Sequence, residues 1–150
     1  MTTSENSSGS VCDLNLAALP KGREDIARLI VKAFADAGFG KPQQLAALAN
    51  AIEESNLEAD AVSLPEQAVG LFQLNMAHGL GTGHTTAELK DPATNVNLIL
   101  SEAAKVGAFK RATSLEDAVS VFVRHIARPA NPEAAVARRL KIAERIGSVG

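Results

Sequence analysis

Tryptophan and tyrosine are absent from this chain of 150 residues, and cysteine occurs once, at Cys12. A single thiol excludes an internal disulfide. Cys12 lies in a Ser- and Thr-rich stretch expected to be a mobile tail, which denies it the folded surroundings a catalytic thiol needs. Only five Phe supply aromatic surface, while Ala, Leu, Val and Ile dominate a hydrophobic fraction of 46%. That balance favours helices over a β-sandwich. No apolar run approaches the ~20 residues that cross a bilayer as a helix. The N-terminus also lacks the basic start and apolar core of a signal peptide.

What is present fits one domain. Residues 1–20 are rich in Thr, Ser, Asn and Gly and read as a disordered lead-in, with the folded part over 21–150. Apolar residues at three-and-four spacing predict five helices. Ile26, Leu29, Ile30, Ala33, Phe34 and Ala37 mark the first, which ends at Gly38 and Gly40. The second begins at Pro42 and carries Leu45, Leu48, Ala49 and Ile52 on one side. Ala47 and Ala51 lie on its other side, as expected of a central, buried helix. Asp91-Pro92 opens the third, with Val96, Ile99, Leu100, Ala103 and Val106 inward. Ser114 opens the fourth, with Leu115, Val119, Phe122, Val123 and Ile126 inward, and Pro129 ends it. Asn131-Pro132 opens the fifth, with Val136, Leu140, Ala143 and Ile146 inward. Between the second and third, residues 56–85 form an irregular or short β insertion rich in glycine. The fold class is therefore all-α with one small insertion.

Two motifs stand out in that frame. Glu54-Ser55 closes the second helix, and Gly70-Leu71-Phe72-Gln73-Leu74-Asn75 comes sixteen positions later. A carboxylate at the end of a buried helix is placed to have its charged form disfavoured, which keeps a proton available near neutral pH. Helical register, at about 100° per residue, does not choose between Glu53 and Glu54.

Together the motifs resemble the signature of the lysozyme-like superfamily, which includes lytic transglycosylases and phage-tail lysozymes. The segment Phe122–Pro129, with Arg138 beyond it, loosely resembles the later part of the phage-tail branch. The resemblance implies a peptidoglycan-degrading muramidase that cleaves between N-acetylmuramic acid and N-acetylglucosamine. It assigns the acid to Glu54, the carboxylate preceding Ser, and leaves Glu53 as a solvated neighbour. It makes Ser55, Gly70, Gln73 and Asn75 candidates for lining or bracing the substrate cleft. Two routes stay open. One glutamate acts as acid and then base to leave an anhydro sugar, or water attacks with help from a second carboxylate, for which Glu58, Asp60 and Glu66 are candidates.

The resemblance implies no cofactor. It implies a location on a virus particle or export without a classical signal peptide, and action in the bacterial cell wall. Partners would be the glycan strand and other proteins of a phage tail or cell-wall machine. The Tyr that supports the acid in lytic transglycosylases is missing here, as is any Trp, which keeps a second reading in view: a non-catalytic, structural or wall-docking module of a phage tail or similar machine. His78, His84 and His125 match no metal-binding spacing, so no metal is expected.

Charge is uneven. Residues 1–100 hold 6 basic and 12 acidic side chains, net −6, and residues 101–150 hold 9 and 5, net +4. Arg138, Arg139, Lys141 and Arg145 thus raise a nucleic-acid reading. The acidic remainder and the lack of a recognition helix argue against it.

Overall fold

A computed structural model describes residues 10–148. The chain enters through a 3-10 turn at Leu16–Ala18. It then forms α1 (Glu24–Asp36) and α2 (Lys41–Ser55). A three-stranded antiparallel sheet comes next: β1 (Val62–Ser63), β2 (Ala68–Val69) and β3 (Leu74–Asn75), in that order. The rest is helical: α3 (Thr86–Lys90), α4 (Pro92–Ala104), α5 (Gly107–Arg111), α6 (Leu115–Val121) and α7 (Pro132–Ile146). Helix α6 runs straight on into a π-helical stretch, Phe122–Ala127. This is the mainly helical architecture with a small β insertion that the sequence predicts.

Capping chemistry sets most boundaries. Asp91, Ser114 and Asn131 each accept a hydrogen bond from a first-turn amide, which satisfies one orphan donor of the helix they open. Two short helices, α3 and α5, were not expected. The first had a legible signal: Thr85 and Glu88 form a reciprocal capping box.

Helix α2 is the axis of the fold. It packs against α1, α6 and α7, and every residue from Gln43 to Ala51 is buried. Full burial of Leu45 and Leu48 contributes about 1.5–3 kcal/mol each. The two buried glutamines work through their amides. Gln43 donates to the carbonyls of Phe109 and Ala112 at 2.9 and 2.7 Å, tying α5 to α2. Beside them all five Phe form one continuous cluster, from Phe39–Phe109 at 5.1 Å between ring centroids to Phe72–Phe122 at 6.1 Å.

Several expectations need correction. Residues 1–9 of the expected lead-in lie outside the described range, but the stretch from Ser10 is packed onto the body. Gln44 donates to the Ser10 carbonyl at 2.7 Å and accepts from the Cys12 amide at 2.9 Å, and the Asn15 amide donates to Ile146 at 2.8 Å. Cys12 is thus half-buried rather than in a mobile tail, and burial raises its thiol pKa. Apolar faces also rotate relative to the expected ones. In α1 the buried residues are Ala27, Ile30, Val31, Phe34 and Ala35. In α7 they are Ala135, Arg139, Ala143 and Ile146, with Val136 and Leu140 only half-buried.

Candidate active site

The last turn of α2 and the sheet both line a groove of roughly 750 Å³. One wall consists of Ser63, Glu66, Ala68, the turn and strand from Phe72 to Asn75, and His78 to Leu80. Most of the rest of the lining comes from Ile126 to Ala130, the end of the π-helical stretch and the three residues beyond it, and from Glu54 and Arg139, whose helices pack against that stretch.

Glu54 is held by one contact. Arg139 Nη2 donates to its Oε2 at 3.1 Å, and its Oε1 accepts no hydrogen bond from the described residues. Three influences act on the carboxyl. Burial raises its pKa and is the larger; the charge and hydrogen bond of Arg139 lower it, and the neighbouring Glu53 raises it slightly. The net shift is upward.

Glu53, expected to be solvated, is instead an anchor. Arg138 and Arg139 both donate to it from α7, and its side chain is 19% exposed. Burial alone would raise its pKa, but the two guanidinium groups together hold it below the ordinary carboxylate range. Arg139 is 4% exposed and divides its donors among Glu53, Glu54 and the Asn50 side-chain oxygen. Asn50 in turn donates to the Ala46 carbonyl at 2.7 Å. A buried arginine thereby locks α7 to the end of α2. Both arginines of this cluster face carboxylates, so they do not form part of a free basic patch.

The sheet wall depends on neutral amides. Gly70 has φ +87°, and a Cβ there would lie 2.1 Å from Asn95 Nδ2 and 2.3 Å from the Leu89 carbonyl. Asn95, fully buried at the start of α4, donates to Val69 and Leu89 at 3.0 and 2.9 Å and accepts from the Phe72 amide at 2.9 Å. Gln73 holds the turn by donating to Gly70 and Ala61 and accepting from the Ser63 hydroxyl. Asn75 donates to Glu66 and accepts from the amides of Ala77 and His78. Leu71 and Phe72 are buried packing residues.

The candidate residues therefore separate. Glu54, Gln73, Asn75 and Glu66 line the groove, whereas Ser55, Gly70, Glu58 and Asp60 do not. Ser55 is buried and donates to the carbonyls of Ala51 at 3.0 Å and Leu71 at 2.8 Å, so it stitches the two motifs together. Gly70 acts by letting Asn95 approach the turn. Glu58 and Asp60 are exposed on the connection after α2.

Residues 25–149 match the sequence profile of the family described as phage tail lysozyme. The chain belongs to the phage tail lysozyme family. At the level of the family, that makes it a lysozyme-like, glycosidase-type, peptidoglycan-acting protein of phage-tail context. Among curated proteins, none matches the chain at a significant level. No helix among the described residues is long and apolar enough to cross a membrane.

Three residues that line the groove or hold its lining in place were not assigned to it from the sequence. Arg139 fits the buried face of α7, being three residues after Val136 and four before Ala143; a lone arginine in such a stripe signals a buried ion pair. Asn95 lies four residues before Ile99 on the inward face of α4 and carries the same kind of signal. Arg128 carried none beyond its neighbour Pro129.

Proposed function

We propose that this phage tail lysozyme cleaves the peptidoglycan glycan strand between N-acetylmuramic acid and N-acetylglucosamine, with Glu54 as general acid and then base. One observation carries the reading: in the lining of an open groove, a carboxyl keeps one oxygen free while burial favours its protonated form. In this reading the protonated Oε1 gives its proton to the bridging oxygen as the glycosidic bond breaks. Arg139, already fixed by Glu53 and Asn50, then stabilises the carboxylate left behind. It acts on the reaction through Glu54, as a positioning residue. Of the three further carboxylates, Glu66 is the one on the groove, which makes it the candidate for assisting water in a hydrolytic route.

The test is release of soluble fragments from purified cell walls. Glu54→Gln keeps shape and hydrogen bonding to Arg139 but has no proton to give. It should lower turnover by about 10²–10⁴-fold, the usual contribution of general acid–base catalysis. Equal release by wild type and Glu54→Gln would remove Glu54 from the role. Mass spectrometry of the fragments separates the routes: anhydro ends mark a transglycosylase, reducing ends a hydrolase.

A second reading is favoured by the Arg139–Glu54 contact and by the aromatic residues. An arginine at 3.1 Å pulls the carboxyl towards its charged form, and four of the five Phe lie away from the groove, in the core. Both features fit a lysozyme-like module that docks on the wall without cutting it. Retention on sacculi with no released fragments would select that reading.

A further inference from the structure

The groove contains a cation that its own walls do not neutralise. Arg139 is occupied by Glu53, Glu54 and Asn50, but Arg128 forms no salt bridge with any described carboxylate, the nearest lying beyond 4.0 Å. Its position is built into the backbone. The π-helical stretch Phe122–Ala127 ends with Arg128 in the left-handed region, at φ +50°, and its amide donates to the Val123 carbonyl at 2.8 Å. Glycine or asparagine is the usual occupant of such a helix end, and π-helical turns concentrate at functional sites. Pro129 then directs the chain along the groove wall.

We infer that Arg128 binds a carboxylate carried by the glycan strand, so that the groove selects charged strands over neutral ones. The inference rests on the reading of this groove as a glycan site. Sugar hydroxyls can be bound by any donor, but a planar guanidinium fork is matched by a carboxylate, with two parallel hydrogen bonds. On a peptidoglycan strand that group comes from the stem peptides, or from the lactyl ether of muramic acid once the peptide has been removed.

Calorimetry on the full chain decides it. Glu54→Gln, which does not consume its ligand, is compared with the double variant Glu54→Gln/Arg128→Gln. The probes are soluble glycan strands of three kinds: peptide-bearing, amidase-stripped with lactyl carboxylates exposed, and peptide-bearing with all carboxyls converted to amides. Loss of Arg128 should weaken binding about tenfold or more on one or both carboxylate-bearing strands, as expected for a charge-assisted pair. It should leave the amide-converted strand unchanged, and Arg128→Lys should recover part of the loss. Whichever carboxylate form responds identifies the source. Equal weakening on amide-converted strands, or no weakening on either charged form, overturns the inference while leaving Glu54 untouched. Failure of Glu54→Gln to bind any strand overturns both the inference and the glycan-site reading.

Discussion

The two walls of the groove are held by opposite means. At the end of α2 a charged cluster does it: Glu53, Glu54, Arg138 and Arg139 with Asn50. On the sheet side neutral amides do it: Asn95, Gln73 and Asn75 against backbone groups. Neutral amides fix geometry without responding to pH. A charged cluster also fixes geometry, and in addition it sets the protonation of any carboxyl within it. The proposed acid belongs to the cluster that can tune it, while the sheet side is held in shape by groups that do not titrate.

Removing the hub of the charged wall should have the largest effect. Arg139→Met leaves Glu53 with one partner and removes the partner of Glu54 and of the Asn50 oxygen, around a guanidinium that is itself 4% exposed. Breaking a buried pair from one side costs about 3–5 kcal/mol, measurable as a lower denaturation midpoint in urea. Arg139→Lys should recover only part, because one ammonium cannot fork to three acceptors in fixed directions. Unchanged stability in Arg139→Met would mean the cluster is solvated and would erase the contrast between the walls.

The amide wall can be broken from its backbone. Gly70→Ala forces a Cβ against Asn95 and the Leu89 carbonyl, in a left-handed conformation that alanine disfavours. Overpacking of this kind costs about 1–3 kcal/mol. Asn95→Ala leaves the Phe72 amide without its acceptor, at about 1–3 kcal/mol. A double-mutant cycle should show the two losses partly non-additive, since alanine at position 95 removes the clash with Asn95 but not that with the Leu89 carbonyl. Additive losses would separate the glycine from the asparagine.

These residues also show what the sequence allowed. The helix starts were legible because side-chain caps and first-turn prolines are local chemistry. The two motifs were legible as a resemblance, and the structure brings them together through Ser55 and the Leu71 carbonyl. The choice of which acid faces the groove was not legible from register alone, because Glu53 and Glu54 are adjacent and the deciding partner, Arg139, lies 85 positions beyond Glu54 on another helix. The same holds for Gly70 and Asn95. A glycine signals that something comes close, but not what. The rotated faces of α1 and α7 have a related cause: alanines on the buried side carry little hydrophobic weight in a pattern, yet small size is what lets neighbouring helices approach α2.

The smallest effect, and the sharpest comparison within the charged wall, is the pH dependence of stability. Glu53 binds fewer protons folded than unfolded below its ordinary pKa of 4.5, so its contribution is present above that value and lost as pH falls. Glu54 binds more protons folded than unfolded, because its pKa is raised. Its contribution is therefore full below 4.5 and declines as pH rises through its folded pKa. The two neighbours thus tilt the stability curve in opposite directions on either side of pH 4.5. Urea midpoints measured from pH 3 to 7 should show Glu53→Gln flattening the acid side and Glu54→Gln flattening the side above 4.5. If Glu54→Gln instead flattens the acid side, Arg139 outweighs burial, Glu54 is a charged structural anchor like its neighbour, and the non-catalytic reading takes precedence.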